Sequence, residues 1–289
     1  MHKRYLGNDS KAATDVVRSL YDTSSLSVVG DGQENLVIIV DESLIVRFPR
    51  SEEVWLRGVT ERRVLQRLGS LPLPVPKLME ISDDPAYIIV SYLHGHQILS
   101  EELRSLPAPT LERVGETIAA FAFELHRNLS LKEFRPLIRP PFWSYDDYLK
   151  RVLFDKTNEN PRIDALAKEY YHKWSQRKIR GKEVVVHDDL HLGNLLFDDS
   201  SELSGVLDFG AVCIGTAEQE LRQTYRLGDA GFEAAASTYE RLSGEPFDRA
   251  LAKLWTITQE LATYCRDDSK AVHARAAENL RFWFPYLRL

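Results

Sequence analysis

The segment Val184-Val-Val-His-Asp-Asp-Leu-His-Leu-Gly-Asn-Leu-Leu-Phe197 gathers the side chains of this sequence best suited to chemistry. It contains the pattern H-x-D-x-x-x-x-N, formed by His187, Asp189 and Asn194. Fourteen residues after Asn194 comes Asp208-Phe209-Gly210, preceded by the apolar Gly205-Val206-Leu207. Phosphoryl transfer needs an acceptor-only carboxylate beside the incoming hydroxyl, and hard oxygen ligands for the Mg²⁺ that bridges the phosphates. Asp189 suits the first role as the catalytic residue; Asn194 and Asp208 suit the second. A lone H-x-D reads as a turn with a capping Asp, and a lone D-F-G occurs by chance. Both together, each after an apolar strand, favour phosphoryl transfer. Asp188 is a carboxylate too. The five-residue step to Asn194 selects Asp189 and leaves Asp188 as a solvated neighbour.

These groups need elements to hold them. The first ninety residues read mainly as strands: Leu26–Val29, Leu36–Val40 and Leu44–Phe48, broken at Gly30-Asp-Gly32 and Asp41-Glu42-Ser43. Ser51 caps a helix with Glu52 and Glu53 in its first turn and Trp55, Val59, Leu65 and Leu68 on its apolar side, ended by Gly69. Pro72, Pro74 and Pro76 force an extended stretch before strands at Lys77–Ile81 and Ala86–Ser91. After Gly95 the pattern turns helical. Thr110 caps a run with Leu111, Val114, Ile118, Phe121 and Leu125 on one stripe, and Tyr145–Arg180 is a second helical region. Strands return at Val184–Val186, Leu195–Phe197 and Gly205–Leu207, and helices follow from Glu218. The fold class is α+β, with a β-rich lobe over residues 1–93 and a mainly helical lobe over 94–289.

The loop His187-Asp-Asp-Leu-His-Leu-Gly-Asn194 resembles the H-G-D-L-H-x-x-N loop of the aminoglycoside phosphotransferases, small-molecule kinases with a two-lobed protein-kinase-like fold. Arg47-Phe-Pro-Arg50, Glu61, Val64-Leu65 and Pro74-Val-Pro76 are similar to the branch holding 2''-aminoglycoside and macrolide kinases. The resemblance implies a nucleotide site in the first lobe. Gly30, Gly32 and Asn35, from Gly30-Asp-Gly-Gln-Glu-Asn35, would approach phosphate. Arg47 stands where family kinases usually place a Lys, with Glu61 as its helix partner; the alternative is an ordinary ion pair between the two. Ser91 C=O and Leu93 N–H would meet the nucleobase. The family's G-D-P-x-x-D-L reads Gly215-Thr-Ala-Glu-Gln-Glu-Leu221 here. Glu220 takes the place of the Asp that steadies the catalytic loop.

Composition narrows the partners. Lys+Arg is 37 and Asp+Glu 43, a net charge of −6, which suits neither nucleic acid nor an anionic membrane. The first twenty residues hold no signal-peptide core, and the two cysteines supply neither a disulfide framework nor a zinc cluster. His187 and His126 read as orienting and structural groups, and neither Ser91 nor Cys213 has a base at nucleophile spacing. The expectation is a cytoplasmic, monomeric Mg²⁺-dependent kinase. It would pass the γ-phosphoryl of ATP or GTP to a hydroxyl of a small molecule. An aminoglycoside stands first as acceptor, against an acidic wall drawn from Glu220, Glu260, Asp267 and Asp268, and a macrolide second, against the aromatics of the last third. Most of those aromatics read as core by helical spacing. A non-catalytic nucleotide-binding module is the competing class, and the intact Asp189, Asn194 and Asp208 speak against it.

Overall fold

The structure, a computed structural model, describes residues 4–22, 25–29, 34–138, 145–158, 160–266 and 269–287. The chain divides into two compact units: Met1–Leu99 with Leu192–Val212, and Ser100–His191 with Cys213–Leu289. The hairpin of residues 195–206 packs with the first unit because it is tied there by backbone bonds. His96 and Phe197 exchange N–H to C=O bonds at 3.0 and 2.9 Å, and Val206 N–H reaches Pro74 C=O at 2.7 Å.

The first unit carries an antiparallel sheet in the order β1-β2-β3-β5-β4, with β1 Leu26–Val29, β2 Asn35–Val40, β3 Leu44–Pro49, β4 Leu78–Asp83 and β5 Ala86–Ser91. Side chains alternate across the pleat with period two, so register decides what shares a face. Val37, Arg47 and Ile88 pair in one row, and Ile39, Ile45 and Val90 in the next. The opposite face buries Leu36, Ile38, Val40, Val46, Phe48, Tyr87 and Ile89 against Ala13 and Val17. Those last two belong to helix α1, Ser10–Leu20, in a region the strand reading passed over. Its start is set by Asp9, whose carboxylate accepts the Ala12 N–H at 3.0 Å.

The single helix expected after Ser51 is two, α2 Glu52–Arg57 and α3 Val59–Leu68, separated at Gly58. The Ser51 cap holds, with its hydroxyl accepting the Val54 N–H at 3.3 Å. The break places Glu61 in the first turn of α3, with its side chain buried. β7 Leu195–Phe197 and β8 Leu203–Val206 form the hairpin of this unit.

The second unit is mostly helical. α4, Ala108–Asn128, begins after Pro107, whose carbonyl accepts from Thr110 and Leu111, so Thr110 is not its cap. Val114, Ile118, Phe121 and Leu125 are buried along it as the stripe requires. The region from Tyr145 holds a short helix, a π-helical segment Lys150–Asp155 and α5, Pro161–Ser175. β6 Val184–Val186 pairs with β9 Cys213–Gly215, a strand too short and mixed to be read from sequence. Then come α6 Ala217–Glu220, a 3₁₀ segment Leu221–Leu227, α7 Gly228–Ser243, α8 Arg249–Arg266 and α9 Lys270–Trp283. α4 and α7 meet backbone to backbone: a Cβ on Gly115 would overlap the Gly231 carbonyl. Tyr225, Phe232, Tyr239 and Trp255 are all buried, as core residues. Among the described residues no helix is long and apolar enough to cross a membrane.

Candidate active site

In the first unit the sheet face bearing Val37, Ile45, Arg47 and Val90 lines a cavity of about 460 Å³, closed by Glu61 and Leu65 of α3 and by Leu207, Asp208 and Phe209. An adjoining recess of about 270 Å³ shares Asn35, Arg47, Glu61 and Asp208 and adds Arg57, Arg62 and Gly210. Arg47 and Glu61 form a two-pronged pair, Nη1 to Oε1 at 2.6 Å and Nη2 to Oε2 at 3.2 Å. Burial works against the Arg47 charge, but Glu61, helped by Asp208 and Glu34, more than restores it and raises the pKa. A guanidinium has five N–H donors, and Glu61 engages only part of that fork. Both readings of this pair therefore meet in one place, since Arg47 is ion-paired and also lines the cavity.

Asp208 has φ 59° and ψ 70°, the left-handed region, which Asp tolerates better than most residues. Its carboxylate accepts the Gly210 N–H at 3.3 Å, and the neighbouring Phe209 is buried as an anchor. Asn194 ends a 3₁₀ turn, and its carbonyl accepts the Leu207 N–H at 2.8 Å, which ties it to the residue preceding Asp208. Ser91 closes β5, where its hydroxyl accepts the Lys77 N–H at 2.9 Å. The next N–H, of Tyr92, goes to Ser43 C=O at 2.8 Å, while Leu93 N–H has no hydrogen-bond partner among the described residues. Gly30 and Gly32 lie outside the described residues.

A carboxylate and an amide oxygen make a sparse, hard donor set. Among the described residues there is no cluster of three or more His, Cys, Asp or Glu able to cage a metal. Hard oxygen donors of this kind are what Mg²⁺ takes, usually one or two carboxylates together with substrate phosphates. Asp208 and Asn194 are the residues that would hold it.

The second unit carries the loop up to His191. Asp189 follows β6, and its own N–H bonds His187 Nδ1 at 3.3 Å while its C=O accepts the His191 N–H at 2.8 Å. His187 is fully buried. The Asp189 carboxylate stays partly open, 3.5 Å from His191 Nε2.

Asp188 is not the solvated neighbour expected of it. It also takes the left-handed region, φ 67°, and its Oδ1 accepts from Arg222 Nη1 at 2.7 Å and Gln219 Nε2 at 2.9 Å. Asp188 is therefore occupied, and Asp189 is the loop carboxylate left accessible.

Glu220 and Glu260 do not line an acidic wall. Glu220 is fully buried and accepts the N–H groups of His187 at 2.6 Å and Asp188 at 3.2 Å, with His126 Nε2 at 3.2 Å. The longer Glu thus reaches the loop backbone from α6. Its carboxylate must meet donors to be buried at all, so it faces inward. Glu260 is 2% exposed and is paired with Arg226 and Asn279. Asp267 and Asp268 lie outside the described residues. Sequence reasoning missed Arg222 and Gln219. Their signal was adjacency to Glu220 with three-residue spacing, which turns both toward one loop.

The profile of the phosphotransferase enzyme family (APH) matches residues 25–255. The chain belongs to that family. Among solved structures, this phosphotransferase is similar to a GDP complex of aminoglycoside 2'-phosphotransferase-IIIa, with 15% identity, TM-score 0.71 and 95% and 98% of the two chains covered. It is also similar to the macrolide 2'-phosphotransferase MphH from Brachybacterium faecium, with 21% identity, TM-score 0.70 and 94% and 98% covered. A third neighbour is APH(2")-IIa with streptomycin and ATP, with 15% identity, TM-score 0.64 and 94% and 96% covered. At these identities the likeness is one of fold, α+β and kinase-like. Among curated proteins no sequence relative is found.

Proposed function

We propose that this phosphotransferase moves the γ-phosphoryl group of ATP or GTP to an alcohol of a small molecule, an antibiotic of the aminoglycoside or macrolide kind. The observation that supports it is the cavity of the first unit, where one sheet face presents apolar Val37, Ile45 and Val90 together with Arg47, Glu61 and Asp208. Apolar side chains suit a flat nucleobase, and the charged group suits its phosphates.

Asp189 would accept the proton of the attacking hydroxyl, since it is the loop carboxylate with exposed oxygens. Arg47 would donate to phosphate oxygens while Glu61 holds its guanidinium plane. Asp208 and Asn194 would hold Mg²⁺, which when bound offsets the charge building on the phosphates. Leu93 N–H and Ser91 C=O would meet the base edge, and Gly30, Gly32 and Asn35 would approach phosphate. The lobes of this reading are 1–93 for nucleotide and 94–289 for catalysis and acceptor. A monomer in the cytoplasm, binding neither nucleic acid nor membrane, completes it.

With Glu220 and Glu260 internal, half of the acidic-wall argument for an aminoglycoside is gone, and both acceptor classes occur among the structural neighbours. The test is nucleotide turnover with Mg²⁺ and ATP or GTP over a panel of both antibiotics. Acceptor-dependent release of nucleoside diphosphate that Asp189→Asn lowers by about 10²–10⁴ is the expected result. Tight Mg-nucleotide binding with no transfer to any alcohol would favour a non-catalytic nucleotide-binding module instead.

A further inference from the structure

Glu220 accepts the N–H groups of His187 and Asp188, the two residues before Asp189. Two more buried side chains stand behind it in the second unit. His126 of α4 places Nε2 3.2 Å from Glu220 Oε2, and Tyr239 of α7 places its hydroxyl 2.7 Å from His126 Nδ1. The phenol ring is fixed where it lies. It meets the His126 ring edge to face at 5.5 Å between centroids and packs on Phe123 and Phe247. The close approach of Gly115 and Gly231 brings the two helices within reach of each other. None of the motifs that carry Asp189, Asn194 and Asp208 includes Tyr239.

The protons in this row can be placed one by one. Burial pushes the Glu220 carboxyl up, but the donors around it, His126 first, hold it below its ordinary value, so it has no proton to give. His126 Nε2 is therefore the donor to Oε2. A neutral imidazole with its proton on Nε2 has a bare Nδ1, which needs a donor of its own. Among the described residues the Tyr239 hydroxyl is the one polar group bonded to Nδ1. Burial and the charge of Glu220 hold that phenol far above its ordinary value, so it keeps its proton. The row runs from Tyr239 O–H to Nδ1, then from Nε2–H to Glu220, with the two loop N–H groups on the carboxylate as well. Without the hydroxyl, Nδ1 is a buried acceptor with no donor, and the ring is free to turn or to take its proton elsewhere.

We propose that Tyr239 is a positioning residue for the loop that bears Asp189: its hydroxyl fixes the orientation and tautomer of His126, and His126 in turn orients the carboxylate that holds the loop backbone. The link to turnover rests on the reading of Asp189 as the base. The hold itself is a property of buried hydrogen bonds and can be measured without any acceptor.

The test uses the full chain with ¹⁵N-labelled histidine, and His126→Gln assigns the His126 signal by its disappearance. Tyr239→Phe removes the oxygen and keeps the ring, whereas Phe123→Leu loosens the packing of that ring and keeps the oxygen. The expected wild-type spectrum at neutral pH shows one His126 form, with its proton on Nε2. Phe123→Leu should keep that form and lower only Tm. Tyr239→Phe should lose it, speed hydrogen exchange of the His187 amide tenfold or more, and lower kcat tenfold or more with the KM for MgATP unchanged. A wild-type proton on Nδ1, or on both nitrogens, overturns the proposal. So does a folded Tyr239→Phe that keeps the tautomer and the amide protection. Should Tyr239→Phe not fold, the wild-type spectrum decides, since a proton on Nδ1 leaves the Tyr239 hydroxyl nothing to donate to. If both NMR effects appear and the wild type transfers no phosphoryl group, the reading of Asp189 fails and the hold of Tyr239 on the loop stands.

Discussion

Arg222 grips Asp188 at two points: Nη1 bonds the carboxylate at 2.7 Å, and Nη2 bonds Asp188's own carbonyl at 2.5 Å. The guanidinium is itself held by Gln259 at 2.9 Å through Nε. Of the two adjacent carboxylates of this loop, Asp188 is fixed in the Arg222 fork, while the Asp189 side chain stays partly exposed beside His191.

Asp189→Asn is expected to lower kcat by about 10²–10⁴, or about 3–5 kcal/mol of barrier, with Mg-nucleotide affinity little changed. Asp188→Asn should lower stability more than turnover. Steady-state kinetics with nucleotide titration checks both. If Asp188→Asn is inactive and Asp189→Asn is not, the roles of the two carboxylates are reversed.

Arg222→Leu should destabilise the protein by about 2–4 kcal/mol in urea unfolding. This is the low side of the buried-pair range, because the Asp188 side chain is 27% exposed. Unchanged stability would mean that the fork contributes nothing.

Glu220 carries a pH signature. Burial pushes its carboxyl up, but the hydrogen bond and charge of His126, with those of His187, outweigh it and hold the pKa below the ordinary 4.5. A folded value below the unfolded one stabilises the native state above about pH 4.5, and that contribution is lost as pH falls through the depressed folded value. The stability gap between wild type and Glu220→Gln should therefore narrow as the pH falls below 4.5. Urea midpoints across that range measure it, and a gap independent of pH would contradict the assignment.

Asp208→Ala should weaken Mg-nucleotide binding by tenfold or more and stop turnover, because it removes the charged oxygen donor. Asn194→Ala, which removes a neutral donor, should do less. Calorimetric titration with MgADP distinguishes them, and equal affinity in all three proteins would remove both residues from the metal's coordination.

Both thiols should resist alkylation in the folded protein. Burial pushes the Cys265 thiol up to about 11, and burial together with the Asp188 charge pushes Cys213 higher still. Neither forms thiolate near neutral pH. Mass spectrometry after iodoacetamide treatment should show slow labelling that becomes fast in urea; fast labelling of the native chain would contradict the burial.

The α+β character, the sheet strands and the Asp189–Asn194–Asp208 pattern were legible, because apolar alternation and fixed spacing are local signals. Helix α1 was not, since only tertiary contact shows that Ala13 and Val17 bury against the sheet. The break at Gly58 was hidden because the apolar period continues across it. Glu220 was legible as a steadying residue and misjudged as a wall residue, because charge along a sequence does not reveal which way a carboxylate faces. Asp188 was misjudged for the same reason, its partner Arg222 lying thirty-four residues away.

The crossing of Gly115 and Gly231 bears on how this sequence can drift. α4 carries His126 and α7 carries Tyr239, and the two side chains bond at 2.7 Å. A methyl group inherited at either glycine would prise the helices apart and strain that bond, and with it the hold of His126 on Glu220. Neither position can change alone without respacing the pair. Descendants of this chain should accumulate their variation around the crossing while the two glycines travel together, answerable through His126 and Glu220 to the loop that bears Asp189.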